Sequence, residues 1–130
     1  NKNNYIVIDF GTATTFDVIK KNNYHGGIIA PGIELSLSNL SNKASLIPKI
    51  KKISKSKKIL GKNTADAVKS GFYWGYTGLI NKIIKSIIKE TNSKYKIIMT
   101  GGLAHLFKNS IDYNSIVDKE ITLKGLIKLI

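Results

Sequence analysis

The sequence contains no cysteine, no arginine and only two prolines in 130 residues. Without cysteine the chain can form no disulfide bond and has no thiolate to act as a nucleophile or a metal ligand. This absence fits a reducing compartment, and no secretory signal is visible at the start of the sequence. We therefore expect a cytoplasmic protein, and because the apolar runs are short the sequence predicts no membrane span.

The absence of arginine is informative because the chain is strongly basic, with a formal net charge of +13 from 21 lysines against 8 acidic residues. Such a charge is typical of proteins that bind nucleic acid. However, arginine is the side chain preferred for bidentate recognition of bases and phosphates. The densest basic run, residues 49–58, also contains no aromatic side chain on which a base could stack. We interpret this run as a solvated loop, and the sequence argues against a nucleic-acid partner.

Length and hydrophobicity predict one folded domain. Hydrophobic residues make up 42% of the chain, which is enough for a core, and 130 residues is a typical length for a single domain. The first residue is Asn1 rather than Met, and the apolar pattern begins almost at once, at Tyr5. We therefore expect this chain to be a piece of a longer protein.

Hydrophobic periodicity predicts a mixed α/β fold. Three β-rich segments at residues 5–10, 14–20 and 24–30 are joined by short turns, which is typical of an antiparallel meander. Apolar residues at helical spacing predict helices over residues 33–44 and 64–90. A mixed sheet with flanking helices is the architecture that this order of elements favours.

The ends of the helices carry recognisable signals. The long helix has Asn63 or Thr64 as its expected N-cap, with Asp66 in the first turn. A terminal helix is expected to begin near Thr122, which is its candidate cap. Between these helices the sequence predicts a strand, a short helix and a second strand: residues 96–100, the segment after Gly102, and residues 115–117.

The first candidate site is the turn DFGTATT, residues 9–15. Asp9 ends a buried strand, where a carboxylate can bind a cation or orient water. Gly11 lets the backbone approach a ligand closely, Thr12 offers a hydroxyl group, and the amides of a glycine turn commonly bind phosphate. The alternative is an ordinary hairpin in which Asp9 caps a neighbouring amide, and the turn alone does not decide between the two.

The second candidate site is the segment IIMTGGLA, residues 97–104, in which a buried strand runs into Gly101 and Gly102 and then a helix. Two consecutive glycines would let a flat ligand lie against the backbone, and a helix N-terminus favours anions. The alternative is a plain connection between a strand and a helix.

Three glycines leave one face of the long helix without side chains, since Gly71, Gly75 and Gly78 stand at i, i+4 and i+7. Each glycine costs a helix about 1 kcal/mol relative to alanine. We expect this face to allow the close packing of a neighbouring element, for instance a partner subunit.

Taken together, the two glycine motifs resemble those of the actin, sugar kinase and Hsp70 superfamily, in which they are the second phosphate loop and the adenosine loop. Five segments further resemble type III pantothenate kinases, in the same order: DFGTATTFD, GGIIAPGIELS, GKNTADAVKSGFYWGYTGLI, TGGLA and TLKGL. The resemblance implies that residues 1–130 form a ribonuclease H-like (actin-like ATPase) domain, the C-terminal half of a two-domain kinase. The Asp-x-Gly-Asn-Thr loop and the Gly-x-Asp-Arg motif of the family's N-terminal half are absent here, so we expect no catalytic base in this chain.

The resemblance also implies an activity. It implies transfer of the γ-phosphoryl group of ATP to the 4′-hydroxyl group of pantothenate, the first step of coenzyme A biosynthesis, by a homodimer. The implied cofactors are ATP, Mg²⁺ and a monovalent cation, K⁺ or NH₄⁺. The alternative is a non-catalytic regulatory or accessory protein with the same fold.

On the same basis, Asp9 would bind the monovalent cation beside ATP. Thr12 would contact an ATP phosphate, and Gly11 would allow the close approach. The remaining two glycines, Gly101 and Gly102, would line the adenosine pocket.

Two further assignments concern polar residues elsewhere. The resemblance implies that Thr64 touches pantothenate across the dimer interface, a role compatible with capping a helix. No glycine-rich Walker loop precedes Lys62, so we assign it no phosphate-binding role. The two histidines, His25 and His105, are far apart in sequence and have no partner at ligand spacing, which argues against a zinc site.

Overall fold

The computed structural model describes residues 3–129 and confirms the predicted α/β class. Three strands come first, followed by two helices and then by alternating strands and helices. In chain order the elements are β1 (Tyr5–Phe10), β2 (Ala13–Lys20), β3 (Asn23–Pro31), α1 (Ile33–Lys43), α2 (Thr64–Thr91), β4 (Lys96–Gly101), α3 (Ala104–Phe107), β5 (Ser115–Val117) and α4 (Ile121–Ile127). Among residues 3–129, no helix combines the length and the apolar character needed to cross a membrane.

The five strands form one mixed sheet in the order β3-β2-β1-β4-β5. The first three strands are the predicted antiparallel meander, whereas β4 runs parallel to β1 and β5 runs parallel to β4. The register places Asp9 opposite Thr100 and Phe10 opposite Gly101. Because parallel strands end at the same edge of a sheet, the two glycine motifs that follow β1 and β4 meet there.

One face of the sheet carries the core. Side chains alternate between the two faces of a strand, and Ile6, Ile8 and Phe10 of β1 are all buried. The ring of Phe107 stacks on Phe10 at 5.4 Å and on Tyr73 of α2 at 6.0 Å, measured between ring centroids. Burying a side chain of this size stabilises a fold by roughly 1.5–3 kcal/mol. These stacked rings hold α2 and α3 against the edge of the sheet where β1 ends.

The long helix α2 begins one residue after its cap. Asn63 accepts a hydrogen bond from the backbone amide of Asp66 at 2.9 Å, and its side-chain amide donates back to the Asp66 carboxylate at 2.9 Å. Thr64 is therefore the first residue of the helix, and its assignment as the cap is wrong. The Asn63 side chain thus satisfies one of the free amides at the helix start and holds the Asp66 carboxylate in the first turn.

Helix α4 begins before Thr122, so Thr122 is not its cap either. The Asp118 carboxylate accepts a hydrogen bond from the backbone amide of Glu120 at 3.0 Å and one from Lys124 at 2.8 Å. The hydrogen bond from Lys124 lowers the pKa of the Asp118 carboxyl group, and the same contact raises the pKa of Lys124. A carboxylate three residues before the helix therefore organises its first turn.

The basic segment between α1 and α2 has no regular structure, as predicted, but it is attached to the fold. Ile53 is buried in the core, and Ser70 of α2 donates a hydrogen bond to the carbonyl oxygen of Ile59. A Cβ atom on Gly61 would lie 2.3 Å from the backbone nitrogen of Ala67, so the segment runs directly against the first turns of α2.

Candidate functional site

A cleft of about 430 Å³ opens at the edge of the sheet where β1 ends. Its walls come from the loop after β1, from the turn after β4 and from the first turn of α1. The lining residues are Phe10, Gly11, Thr12, Thr14, Ile33, Glu34, Leu35, Gly102 and Leu103. The fold therefore brings both glycine motifs, far apart in sequence, to the same cavity.

The β1–β2 loop, formed by Gly11 and Thr12, is the first wall. The amide of Gly11 donates to the carbonyl oxygen of Ala13 at 3.1 Å, which closes a tight turn. Both loop residues are exposed, so the hydroxyl group of Thr12 is accessible from the cleft. The neighbouring Thr14 is fully buried, and its hydroxyl group donates to the carbonyl oxygen of Pro31 at 3.2 Å. Thr12 thus offers its hydroxyl group to a ligand in the cleft, whereas the hydroxyl group of Thr14 is used by the fold.

Asp9 lies beside the loop rather than in the lining of the cleft. It is half-buried on the face of β1 opposite Phe10, and the register places it between Thr15 and Thr100. One carboxylate oxygen lies 3.8 Å from the position that a Cβ atom on Gly11 would occupy. A carboxylate flanked by threonines offers the oxygen ligands that a hard cation prefers. Among residues 3–129, no group of three or more acidic or histidine side chains is placed to hold a metal ion.

The two glycines after β4 have different structural roles. Gly101 has φ +92°, and a Cβ atom there would lie 2.5 Å from the carbonyl oxygen of Phe10, so only glycine fits. Gly102 lines the cleft, and a Cβ atom there would meet no atom within 4 Å. Gly101 thus makes the turn, while Gly102 leaves the open space in which a flat ligand could lie.

The start of α1 is a third wall that the sequence did not reveal. Its first turn lines the cleft, and Gly32, at the N-cap position, has no side chain to cap the free amides. Free amides and the positive end of the helix dipole favour an anion at this point. A Cβ atom on Gly32 would lie 1.8 Å from the carbonyl oxygen of Thr12. The signal in the sequence is the glycine of the APG segment, residues 30–32, which directly precedes the apolar residues of α1.

The structure does not bring Thr64 to this cleft. Thr64 is exposed at the start of α2, and the cleft lining does not include it. The residues around it border a different cavity, of about 510 Å³, which five lysines line together with Gly61 and Asp66: Lys55, Lys57, Lys58, Lys62 and Lys69. Within this chain, therefore, Thr64 is separate from the residues of the two glycine motifs.

Comparison with known sequences identifies similar proteins. The family model described as type III pantothenate kinase matches residues 1–86. A type III pantothenate kinase from Pelagibacter ubique (strain HTCC1062) is 57% identical over 128 residues, which cover 98% of this chain and 51% of the relative. The chain thus spans about half the length of the curated relatives it matches.

Solved structures show the same fold. A Baf family transcriptional activator from Campylobacter jejuni superimposes with a TM-score of 0.68 at 25% identity, covering 97% of this chain and 56% of that one. The Alp12 filament structure superimposes with a TM-score of 0.65 at 18% identity, covering 99% of this chain and 47% of that one. The chain therefore has the actin-like ATPase fold that the sequence motifs implied.

Proposed function

Because this chain belongs to the type III pantothenate kinase family, we propose that the full-length protein transfers the γ-phosphoryl group of ATP to the 4′-hydroxyl group of pantothenate. The product, 4′-phosphopantothenate, begins coenzyme A biosynthesis. The observation that carries the proposal is the single cleft formed by the β1–β2 loop, Gly102 and the start of α1. Ligands of α/β sheets commonly bind outside the carboxyl ends of the strands, which is where this cleft lies.

The cleft suits a nucleoside triphosphate. Its volume, about 430 Å³, falls within the usual range of small-molecule sites. The Thr12 hydroxyl group, the loop amides and the uncapped amides of α1 would hold the phosphates, and adenosine would lie against Gly102. Phosphoryl transfer depends chiefly on positioning and on neutralising charge, which are the tasks these groups can perform.

Cations would complete the site. Glu34 also lines the cleft, and its negative charge is compatible with bound triphosphate only when cations offset the phosphate charge. Magnesium bound to the phosphates would supply this neutralisation during phosphoryl transfer. Asp9 would hold the monovalent cation, K⁺ or NH₄⁺, beside the loop.

The proton of the pantothenate hydroxyl group needs an acceptor from outside this chain. The chain contains no arginine and hence no Gly-x-Asp-Arg motif, in which the family carries its base. We propose that residues 1–130 form the C-terminal domain of a two-domain, cytoplasmic kinase and are inactive alone.

We further propose that the protein is a homodimer in which Thr64 touches pantothenate bound to the partner subunit. An apolar groove of about 380 Å³ runs along α2 beside the helix glycines. Cβ atoms added to Gly71, Gly75 or Gly78 would meet no atom within 4 Å, so the backbone is open to close approach. The groove is lined by Pro31, Leu40, Val68, Gly71, Phe72, Gly75, Tyr76 and Leu79.

A charge in this groove should break the dimer without unfolding the protein. We expect Gly75→Lys to weaken dimerisation at least tenfold, since a desolvated, unpaired charge costs several kcal/mol at an interface. The fold should keep its thermal stability, because the new side chain enters open space and glycine is a poor helix former. Sedimentation velocity measures the dimer, and Ser86→Lys, on an exposed part of the same helix, is the matched control. A Gly75→Lys protein that remained dimeric would exclude the groove as the interface.

The proposed cation site is tested at Asp9. We expect Asp9→Asn, which keeps the shape and removes the charge, to lower activity at saturating K⁺ by about tenfold or more and to weaken the activation by K⁺. The measurement is the initial rate as a function of K⁺ concentration, with Asp17→Asn, on the same face of the sheet, as the control. If Asp9→Asn left both the rate and the K⁺ dependence unchanged, Asp9 would not be the cation ligand.

A second candidate function is that of a non-catalytic accessory protein. The likeness to the Baf family transcriptional activator from C. jejuni favours it, since that protein shares the fold at 25% identity. The two candidates are separated by incubating the full-length protein with ATP, Mg²⁺, K⁺ and pantothenate and measuring 4′-phosphopantothenate. Turnover supports the kinase, whereas a folded protein that forms no product favours the accessory role.

DNA affinity that falls steeply with added salt would instead indicate nucleic-acid binding driven by the positive charge.

A further inference from the structure

The carbonyl oxygen of Pro31 joins two parts of the fold. It accepts a hydrogen bond from the hydroxyl group of Thr14 at 3.2 Å and another from the hydroxyl group of Tyr76 at 3.2 Å. Thr14 belongs to β2, directly after the β1–β2 loop, whereas Tyr76 belongs to α2. The carbonyl oxygen of Pro31 therefore links β2 to α2.

The next residue, Gly32, connects Pro31 to the β1–β2 loop by direct contact. Gly32 is buried against Thr12 so closely that a Cβ atom on Gly32 would lie 1.8 Å from the carbonyl oxygen of Thr12 and 3.0 Å from that of Gly11. The ring of Pro31 fixes its own φ, which reduces the backbone freedom of this residue. A displacement of the Pro31–Gly32 junction must move the Thr12 backbone by direct contact.

The ring and the hydroxyl group of Tyr76 contact different parts of the fold. The ring lines the apolar groove of α2 and stacks on Phe72 at a centroid distance of 6.0 Å. The hydroxyl group points to the junction, where its oxygen also lies 3.2 Å from the hydroxyl oxygen of Ser36; since Tyr76 donates its single proton to Pro31, Ser36 is the donor in this second hydrogen bond. Tyr76 thus contacts both the groove and the junction behind the cleft.

We propose that Tyr76 is a positioning residue for Thr12, acting through the Pro31–Gly32 junction, and that it couples the groove to the phosphate end of the cleft. This inference rests on the proposed role of the β1–β2 loop in binding ATP phosphates. Pro31 is exposed in the single chain, so water competes for its carbonyl oxygen. Covering the groove would exclude that water and strengthen the hydrogen bond from Tyr76.

The test is Tyr76→Phe in the full-length protein, because phenylalanine keeps the ring in the groove and removes only the hydroxyl group. The expected result is a rise in the KM for ATP of roughly three- to tenfold, the equivalent of one hydrogen bond. The KM for pantothenate and the dimer should not change. Ser36→Ala, which removes the other partner of the Tyr76 hydroxyl group, is the matched control and should leave the KM for ATP unchanged.

A comparison of two ligands distinguishes positioning from a general structural role. Because the effect reaches the site through Thr12, Tyr76→Phe should weaken the inhibition by a non-hydrolysable ATP analogue but not the inhibition by adenosine. Equal weakening of both inhibitors, or no change in either, would overturn the inference while leaving the proposed kinase activity intact. A wild-type protein that bound no ATP would overturn both.

Discussion

Replacement of Gly101 by alanine is expected to remove ATP-dependent activity and to destabilise the protein by about 3 kcal/mol or more. Two effects add at this position. A left-handed φ of +92° is unfavourable for a residue with a Cβ atom, and that atom would lie 2.5 Å from the oxygen and 2.8 Å from the carbon of the Phe10 carbonyl group. Backbone atoms cannot rotate away, so β1 and β4 would have to separate at the edge that holds the cleft.

Thermal unfolding and ATP binding of the full-length protein measure this effect, and Gly102→Ala is the control. A Cβ atom on Gly102 would meet no atom within 4 Å, and Gly102 lacks the positive φ of Gly101. The Gly102→Ala protein should therefore be as stable as the wild type. Because Gly102 lines the cleft, the added methyl group should still weaken ATP binding, by about tenfold. A Gly101→Ala protein as stable as the wild type would contradict the described packing of the two strands.

The second large effect is expected for Gly32→Ala, which should lower activity more than it lowers stability. The backbone at Gly32, with φ −70° and ψ 140°, accepts alanine without strain. The conflict is with the loop, since the new Cβ atom would lie 1.8 Å from the oxygen and 2.6 Å from the carbon of the Thr12 carbonyl group. The exposed loop can move to relieve this contact, so the fold survives while the phosphate contacts are displaced.

A displacement of about 1 Å at a catalytic site commonly costs about a hundredfold in rate, which is the loss we expect in kcat/KM for ATP. Steady-state kinetics with ATP and with pantothenate as the varied substrate measure it. The loss should appear chiefly with ATP as the varied substrate. Near-normal kinetics in Gly32→Ala would show that the start of α1 does not support the phosphate site.

Much of the fold could be predicted because burial in these elements follows simple periods. Every second residue of β1 is buried, from Ile6 to Phe10, and α2 buries residues on one side along its length. The ends of the strands and helices were less predictable, because they depend on contacts with neighbouring elements. The third predicted strand ends at residue 30, yet β3 extends to Pro31, which pairs with Ala13. An edge strand accommodates proline, since its outward side needs no amide donor.

The candidate site was predictable only in part, because some of its residues are brought together by contacts between elements that are far apart in sequence. Asp9, Gly11 and Gly102 belong to motifs whose residue types indicate their chemistry. The contribution of Glu34, by contrast, depends on how α1 leaves β3 and reaches the β1–β2 loop, which is a tertiary contact. The distinction between an accessible Thr12 and a buried Thr14 likewise depends on where β2 begins, because Thr12 lies in the loop before Ala13 whereas Thr14 lies on the buried face of the strand.

The most direct test of the account is a crystal structure of the full-length protein with a non-hydrolysable ATP analogue, Mg²⁺ and K⁺. We expect phosphate oxygens within hydrogen-bond distance of Thr12, adenosine against Gly102, and the monovalent cation at Asp9. Nucleotide phosphates bound instead in the lysine-lined cavity beside Lys62, with no nucleotide between Thr12 and Gly102, would contradict this expectation.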